Sequence, residues 1–151
     1  MNELTDIKNT TGKILSVDFG DTRTGLAVSD VTRFLASGIG TISAGGIVKT
    51  ADRIAEIVRE QGAVAIVVGL PVNMDGTQGF RADRCREFAD LLRERLPNIP
   101  VAMMDERMTT MVASRYLNET NTRGKKRKGV IDTLSAEIIL QNTLDRLKRM
   151  N

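Results

Sequence analysis

KILSVDFGDTRTGLAVSD, residues Lys13 to Asp30, holds two short apolar runs separated by a polar, glycine-containing turn. Lys13–Asp18 is aliphatic and β-branched and is closed by Gly20, which is the pattern of a strand. Thr24–Asp30 reads as a second strand. The link between them is far shorter than the dozen or so residues a parallel crossover takes, so the two pair antiparallel. Leu35–Ser43 reads as a weaker, glycine-rich third strand that completes a meander.

Further along, the periodicity changes. Ile47, Val48, Ala51, Ile54, Ala55 and Val58 recur at the spacing of one helix face, and Gly62 supplies the stop. Ala63–Val68 (AVAIVV) is apolar on both faces, as a central parallel strand should be. After a loop from Gly69 through Gly76 and Gly79, a second helix places Cys85, Phe88, Ala89, Leu92 and Leu96 on one side and ends at Pro97. Val101–Met104 is another buried strand and runs into Asp105-Glu106-Arg107. Thr109 or Thr110 can cap a third helix through Leu117, and Thr133–Met150 carries the stripe of a last amphipathic helix. A meander followed by two crossover units gives a mixed sheet with helices packed on its faces. Residues 1–12 are polar and are expected to form a flexible tail, leaving residues 13–151 as one domain, a size that needs no disulfide or structural metal.

Composition removes several kinds of chemistry. The chain has no histidine and a single cysteine, Cys85. A protein-made zinc site and a neutral-pH histidine base are thereby excluded. A catalytic metal would sit on oxygen ligands, which points to Mg²⁺ or Mn²⁺. Aromatic residues make up only 3% of the chain, which argues against a base-stacking platform. No apolar run approaches the roughly 20 residues that span a bilayer, and the N-terminus lacks the apolar core of a signal peptide. A cytoplasmic protein with no membrane partner is expected, monomeric or homodimeric.

Ligands of mixed α/β sheets gather at the carboxyl ends of strands. Asp18 ends the first strand, Asp105 and Glu106 end the last one, and Asp132 stands at the start of the final helix. Phosphodiester hydrolysis with two divalent ions needs carboxylates converging from separate elements, and it does not need histidine. Each acid also has a plainer explanation. Asp18 could shape a turn, although an acid flanked by Val17 and Phe19 is costly to bury unpaired. Alternation puts Asp105 and Glu106 on opposite strand faces, so only one of them can meet Asp18. Asp132, just before TLSAEIIL, is a natural helix N-cap.

These residues resemble the YqgF (RuvX) family of bacterial pre-16S rRNA nucleases, which are also described as Holliday-junction-resolvase homologues. The first motif is Asp18-Phe-Gly-Asp-Thr-Arg23-Thr-Gly-Leu-Ala-Val-Ser-Asp30. The likeness continues through Gly69-Leu-Pro71-Val-Asn-Met-Asp-Gly76-Thr-Gln-Gly79 and Asp105-Glu106-Arg107-Met-Thr109-Thr110, and closes with Asp132 ahead of Ser135-Ala136. It implies an RNase H-like fold, a three-stranded antiparallel meander plus two parallel strands with helices on both faces. It also implies a divalent-metal nuclease acting in 5′-end maturation of precursor 16S rRNA, or a Holliday junction resolvase. By this resemblance Asp18, Glu106 and Asp132 are the catalytic and metal-binding acids, with Mg²⁺ or Mn²⁺ as cofactor.

The basic run Lys125, Lys126, Arg127 and Lys128, flanked by Gly124 and Gly129, reads as a flexible loop beside the proposed site. Its solvated alternative is ordinary for charge runs, but four cations there would neutralise phosphates. With Arg23 and Arg107 they are the expected contacts to precursor rRNA or a DNA junction, made to backbone and not to base edges. Two other readings compete: a non-catalytic scaffold docking on rRNA or a processing complex, and an ATP-binding domain suggested by Asp18-x-Gly20 followed by Thr22.

Overall fold

The computed structural model describes residues 4–73, 75–105 and 124–150, with residues 124–130 described by backbone alone. Strands β1 (Ile14–Asp18), β2 (Thr24–Ser29) and β3 (Ala36–Ile42) form the expected antiparallel meander. Helix α2 (Ile47–Gln61) then crosses to β4 (Ala65–Leu70), which lies parallel to β1, and α3 (Phe80–Arg95) crosses to β5 (Val101–Asp105), parallel to β4. The sheet order is β3-β2-β1-β4-β5. Helix α4 (Gly124–Arg149) is the last element. Glycine ends α2 because Gly62 adopts φ 69°, ψ 30°, a left-handed conformation, and its N–H returns to the carbonyls of the last turn.

Two apolar layers sandwich the sheet. On one face Leu15, Val17, Leu26, Ile66, Val68 and Val101 pack against Ile54, Val58, Phe88 and Leu92 of α2 and α3. On the other, Ile14, Ala27, Ala65, Val67 and Ala102 pack beneath Ala136, Ile139, Leu140, Leu144 and Leu147 of α4. Strands β1 and β4 are buried on both faces, which is why their sequences are continuous apolar runs and not alternating ones. Phe19 and Phe88 stack with ring centroids 4.5 Å apart and close the first layer. Cys85 is buried in that same layer.

Three expectations change. The segment expected to be a flexible tail contains a helix, α1 (Leu4–Lys8), whose Ile7 is fully buried in the α4 layer. Arg33 fastens it, donating from Nε to the Gly12 carbonyl, from one terminal nitrogen to the Ile7 carbonyl and from the other to Thr10 Oγ1. The run Lys125–Lys128 is not a loop: its backbone belongs to the opening turns of α4. Lysine and arginine are good helix formers, and one internal glycine costs only about 1 kcal/mol, so Gly129 does not break the helix. Asp132 therefore lies inside α4 and does not cap it. The helix expected from Thr109 or Thr110 to Leu117 lies outside the described residues.

Candidate active site at the carboxyl edge of the sheet

Because β1, β4 and β5 run parallel, Asp18, Leu70 and Asp105 end at one edge of the sheet. Asp18 and Asp105 leave it on opposite faces. Leu15 and Val17 point to α2 and α3, and Ile14 to α4, so alternation turns Ser16 and Asp18 toward α4. In β5, Met103 packs with the α2–α3 layer and Met104 with the α4 layer, so Asp105 follows Met103 away from Asp18.

Helix α4 carries Asp132 to Asp18. Ser16 Oγ donates to the Ala136 carbonyl at 2.6 Å and fixes the helix over β1. Two strand residues advance about 6.6 Å and four helix residues about 6 Å, so the step from Ser16 to Asp18 matches the step back from Ala136 to Asp132. The match is completed by Gly25, the antiparallel register partner of Asp18. A Cβ on Gly25 would overlap the Asp132 carbonyl, so only glycine lets the helix backbone rest here. Asp18, Gly25 and Asp132 thus form one contact region.

Arg23 completes it. The turn between β1 and β2 is laced by Thr24, whose hydroxyl accepts from the Gly20 N–H and donates to the Gly20 carbonyl. From this turn Arg23 Nε donates to Asp132 Oδ2 at 2.9 Å, with the two side chains 34% and 24% exposed. Arg23, expected to contact nucleic acid, is here the counter-ion of a candidate catalytic acid. On the neighbouring flank Arg84 of α3 pairs with Asp21 of the same turn at 2.9 Å, and this ion pair raises the Arg84 pKa. Glu106 and Arg107 lie outside the described residues.

The donor chemistry suits a hard divalent cation. Asp18 and Asp132 offer carboxylate oxygens, and no histidine competes for a softer metal. Ser135 Oγ, one residue short of a full turn from Asp132, is buried with no hydrogen-bond partner among the described residues. An orphaned hydroxyl in that position is a ready partner for ordered water. Among the described residues no three carboxylates, histidines or cysteines cluster. A groove of about 440 Å³ lies elsewhere, on the α2 face, lined by residues including Lys49, Asp52, Arg53 and Glu56. Arg53 there is bound to Glu56 and Glu60, and Asp52 to Arg95.

Residues 12–146 match the model of a family described as RuvX, Holliday junction resolvase. The chain belongs to the RuvX family. A relative from Ruminiclostridium cellulolyticum is 40% identical over 136 residues, spanning 89% of this chain and 95% of its own length. One from Bacillus cereus strain B4264 is 44% identical over 140 residues, spanning 89% and 98%. Both carry the name, given provisionally, of pre-16S rRNA nuclease. Among solved structures, Thermus thermophilus RuvC in complex with a Holliday junction substrate superposes with a TM-score of 0.57 at 14% identity, covering 91% of this chain and 96% of RuvC. The fowlpox virus Holliday junction resolvase gives 0.53 at 13%, covering 91% and 99%. These likenesses are of fold, and the fold is the RNase H-like one that the motifs implied.

Sequence reading missed two residues that build the site. Ser16 was legible only as a polar break in an apolar strand. Glu137, whose Oε1 accepts the Gly38 N–H at 2.7 Å and ties α4 to β3, carried no signal at all.

Proposed function

We propose that this RuvX-family chain is a divalent-metal-dependent nuclease that trims precursor 16S rRNA near its 5′ end, in the cytoplasm. The nuclease class follows from family membership, and the names of the relatives favour rRNA. The observation that carries the metal site is the seating of the Asp132 backbone on Gly25, the strand partner of Asp18. Asp18 and Asp132 are the proposed ligands, joined by Glu106. A bound Mg²⁺ or Mn²⁺ would supply positive charge to the scissile phosphate and make the attacking water more acidic. The chain's own part is to hold the carboxylates fixed: α4 is pinned by Ser16, and the β1–β2 turn by Thr24. Lys125, Lys126, Arg127 and Lys128 precede Asp132 on one continuous helix, and they are the proposed contacts to the nucleic-acid backbone. Among the described residues no helix is long and apolar enough to cross a membrane.

The test is cleavage of precursor 16S rRNA and of a four-way DNA junction, side by side, with Mg²⁺, with Mn²⁺ and with EDTA. Metal-dependent cutting of the rRNA, lost in Asp18→Asn while RNA binding persists, is the expected result. Cutting of the junction alone would move the substrate to DNA, in line with the family's description. Binding without cutting in the wild type would make the chain a scaffold.

A further inference from the structure

Arg23 grips Asp132 in an unusual way for a guanidinium and a carboxylate. Only Nε and Oδ2 are engaged; among the described residues neither terminal nitrogen of Arg23 and not Oδ1 of Asp132 makes a hydrogen bond. The contact is one-point where the fork geometry of arginine would allow two. Both side chains are partly open to solvent, and the pair spans 109 positions in the chain. The backbone on each side is fixed, by Thr24 at the turn and by Gly25 under the helix. Breaking the pair therefore takes side-chain rotation and nothing larger.

We infer that Arg23 is a positioning residue that stands in for the divalent cation, holding Asp132 until the metal takes that carboxylate and then turning to a phosphate of the nucleic acid. The inference rests on the metal-site reading above. Its logic is charge exchange. Asp18, as the strand partner of Gly25, and Asp132, whose backbone rests on Gly25, bring two acids to one region, and Arg23 offsets the charge of Asp132. A doubly charged ion arriving at Asp132 repels the guanidinium as it removes its partner. The released guanidinium still sits at the carboxyl edge of the sheet and needs an anion. A phosphodiester is the anion this site would meet, and it accepts the two-point geometry that Asp132 leaves unused. No bond is made or broken in the exchange; ion pairs are traded. By linkage, metal must then tighten nucleic acid, and nucleic acid must tighten metal by the same factor.

The full chain is titrated with Mn²⁺, free ion being read by electron paramagnetic resonance, with and without a short RNA hairpin whose integrity is checked on a gel. In the wild type the hairpin should tighten Mn²⁺ about tenfold, within the usual range of coupling between sites. Arg23→Gln should bind Mn²⁺ a few-fold more tightly without RNA, about the effect of removing one nearby partly solvated positive charge, and should lose most of the coupling. Arg23→Lys, which keeps the charge, should hold Mn²⁺ without RNA near the wild-type affinity. A purely structural arginine would weaken Mn²⁺ equally with and without RNA and leave the coupling intact, and that result overturns the inference. If the wild type binds no Mn²⁺, or if Asp132→Asn leaves Mn²⁺ affinity unchanged, the metal site itself is wrong and the inference falls with it.

Discussion

Ser16 of β1 and Ala136 of α4 are joined by a 2.6 Å hydrogen bond from the buried serine hydroxyl to the helix carbonyl. It is the contact that sets the height of α4 along β1, and through the matched advance of strand and helix it sets where Asp132 lies. Ser16→Ala should lower stability by about 1 kcal/mol, the usual net value of such a bond. Ser135→Ala, one position before that helix carbonyl, should do the reverse. Its hydroxyl is buried without a partner among the described residues, so removing it should leave stability unchanged or raise it by up to about 1 kcal/mol. Urea unfolding of both variants checks the pair. Equal destabilisation by the two would deny Ser16 its special place.

Gly25→Ala tests the close approach of helix and sheet. The added methyl would run into the Asp132 carbonyl, which is backbone and cannot swing aside. The expected loss is about 1–3 kcal/mol, as for other overpacked interiors. Metal-dependent cleavage should fall further than that loss explains, because α4 moves off Asp18. Denaturant midpoints and cleavage rates below the unfolding temperature separate the two effects, and a variant with wild-type values for both would refute the contact.

How much of this was readable beforehand depends on distance along the chain. The strands and α2 with its Gly62 stop follow from local periodicity, whereas alternation left open which of Asp105 and Glu106 meets Asp18, and the structure turns Asp105 away from it. The Arg23–Asp132 pair joins the first motif to the last, and no local rule connects them. The start of α4 was misplaced because glycine at 124 and 129 bracketing four cations resembles a loop, whereas helix propensity of lysine and arginine carries the backbone through. Ile7 was lost for the opposite reason: one isoleucine in a polar segment has no periodicity to betray its burial.

Asp30 gives a pH signature. Its carboxylate accepts the Leu35 and Phe34 N–H groups at 2.9 and 2.8 Å and the Thr32 hydroxyl. Led by the Leu35 bond, these lower its pKa from 3.8 to about 2. A depressed acid stabilises the fold above its unfolded pKa, and the benefit fades as pH falls through the folded one. Wild type should thus exceed Asp30→Ala in stability above about pH 4, with the gap closing toward about pH 2. A carboxyl titration by NMR gives the pKa directly; a midpoint near 3.8 would dismiss the loop network as a cause.

Replacement of Lys125, Lys126, Arg127 and Lys128 by alanine should weaken RNA binding and flatten its salt dependence. Up to about 3.6 should vanish from the slope of log affinity against log salt, at roughly 0.7–0.9 per phosphate contact. Helix content should hold, since alanine is at least as good a helix former. An unaltered slope would mean that the four cations face solvent and not phosphate.

The fastening of α1 has a bearing on what can be cut away. Ile7 fills the end of the α4 layer beside Ile14, Leu144 and Leu147, and Lys8 Nζ donates to the Leu147 carbonyl at 2.9 Å. Since α4 runs antiparallel to β1, this plug sits at the far end of the sheet from Asp18. Trimming the chain back to Lys13 would uncork an apolar hollow there and lower the melting temperature, yet leave the acids, the turn and Gly25 in place. Robustness and chemistry are thus housed at opposite poles of one small protein, free to drift independently as its sequence changes.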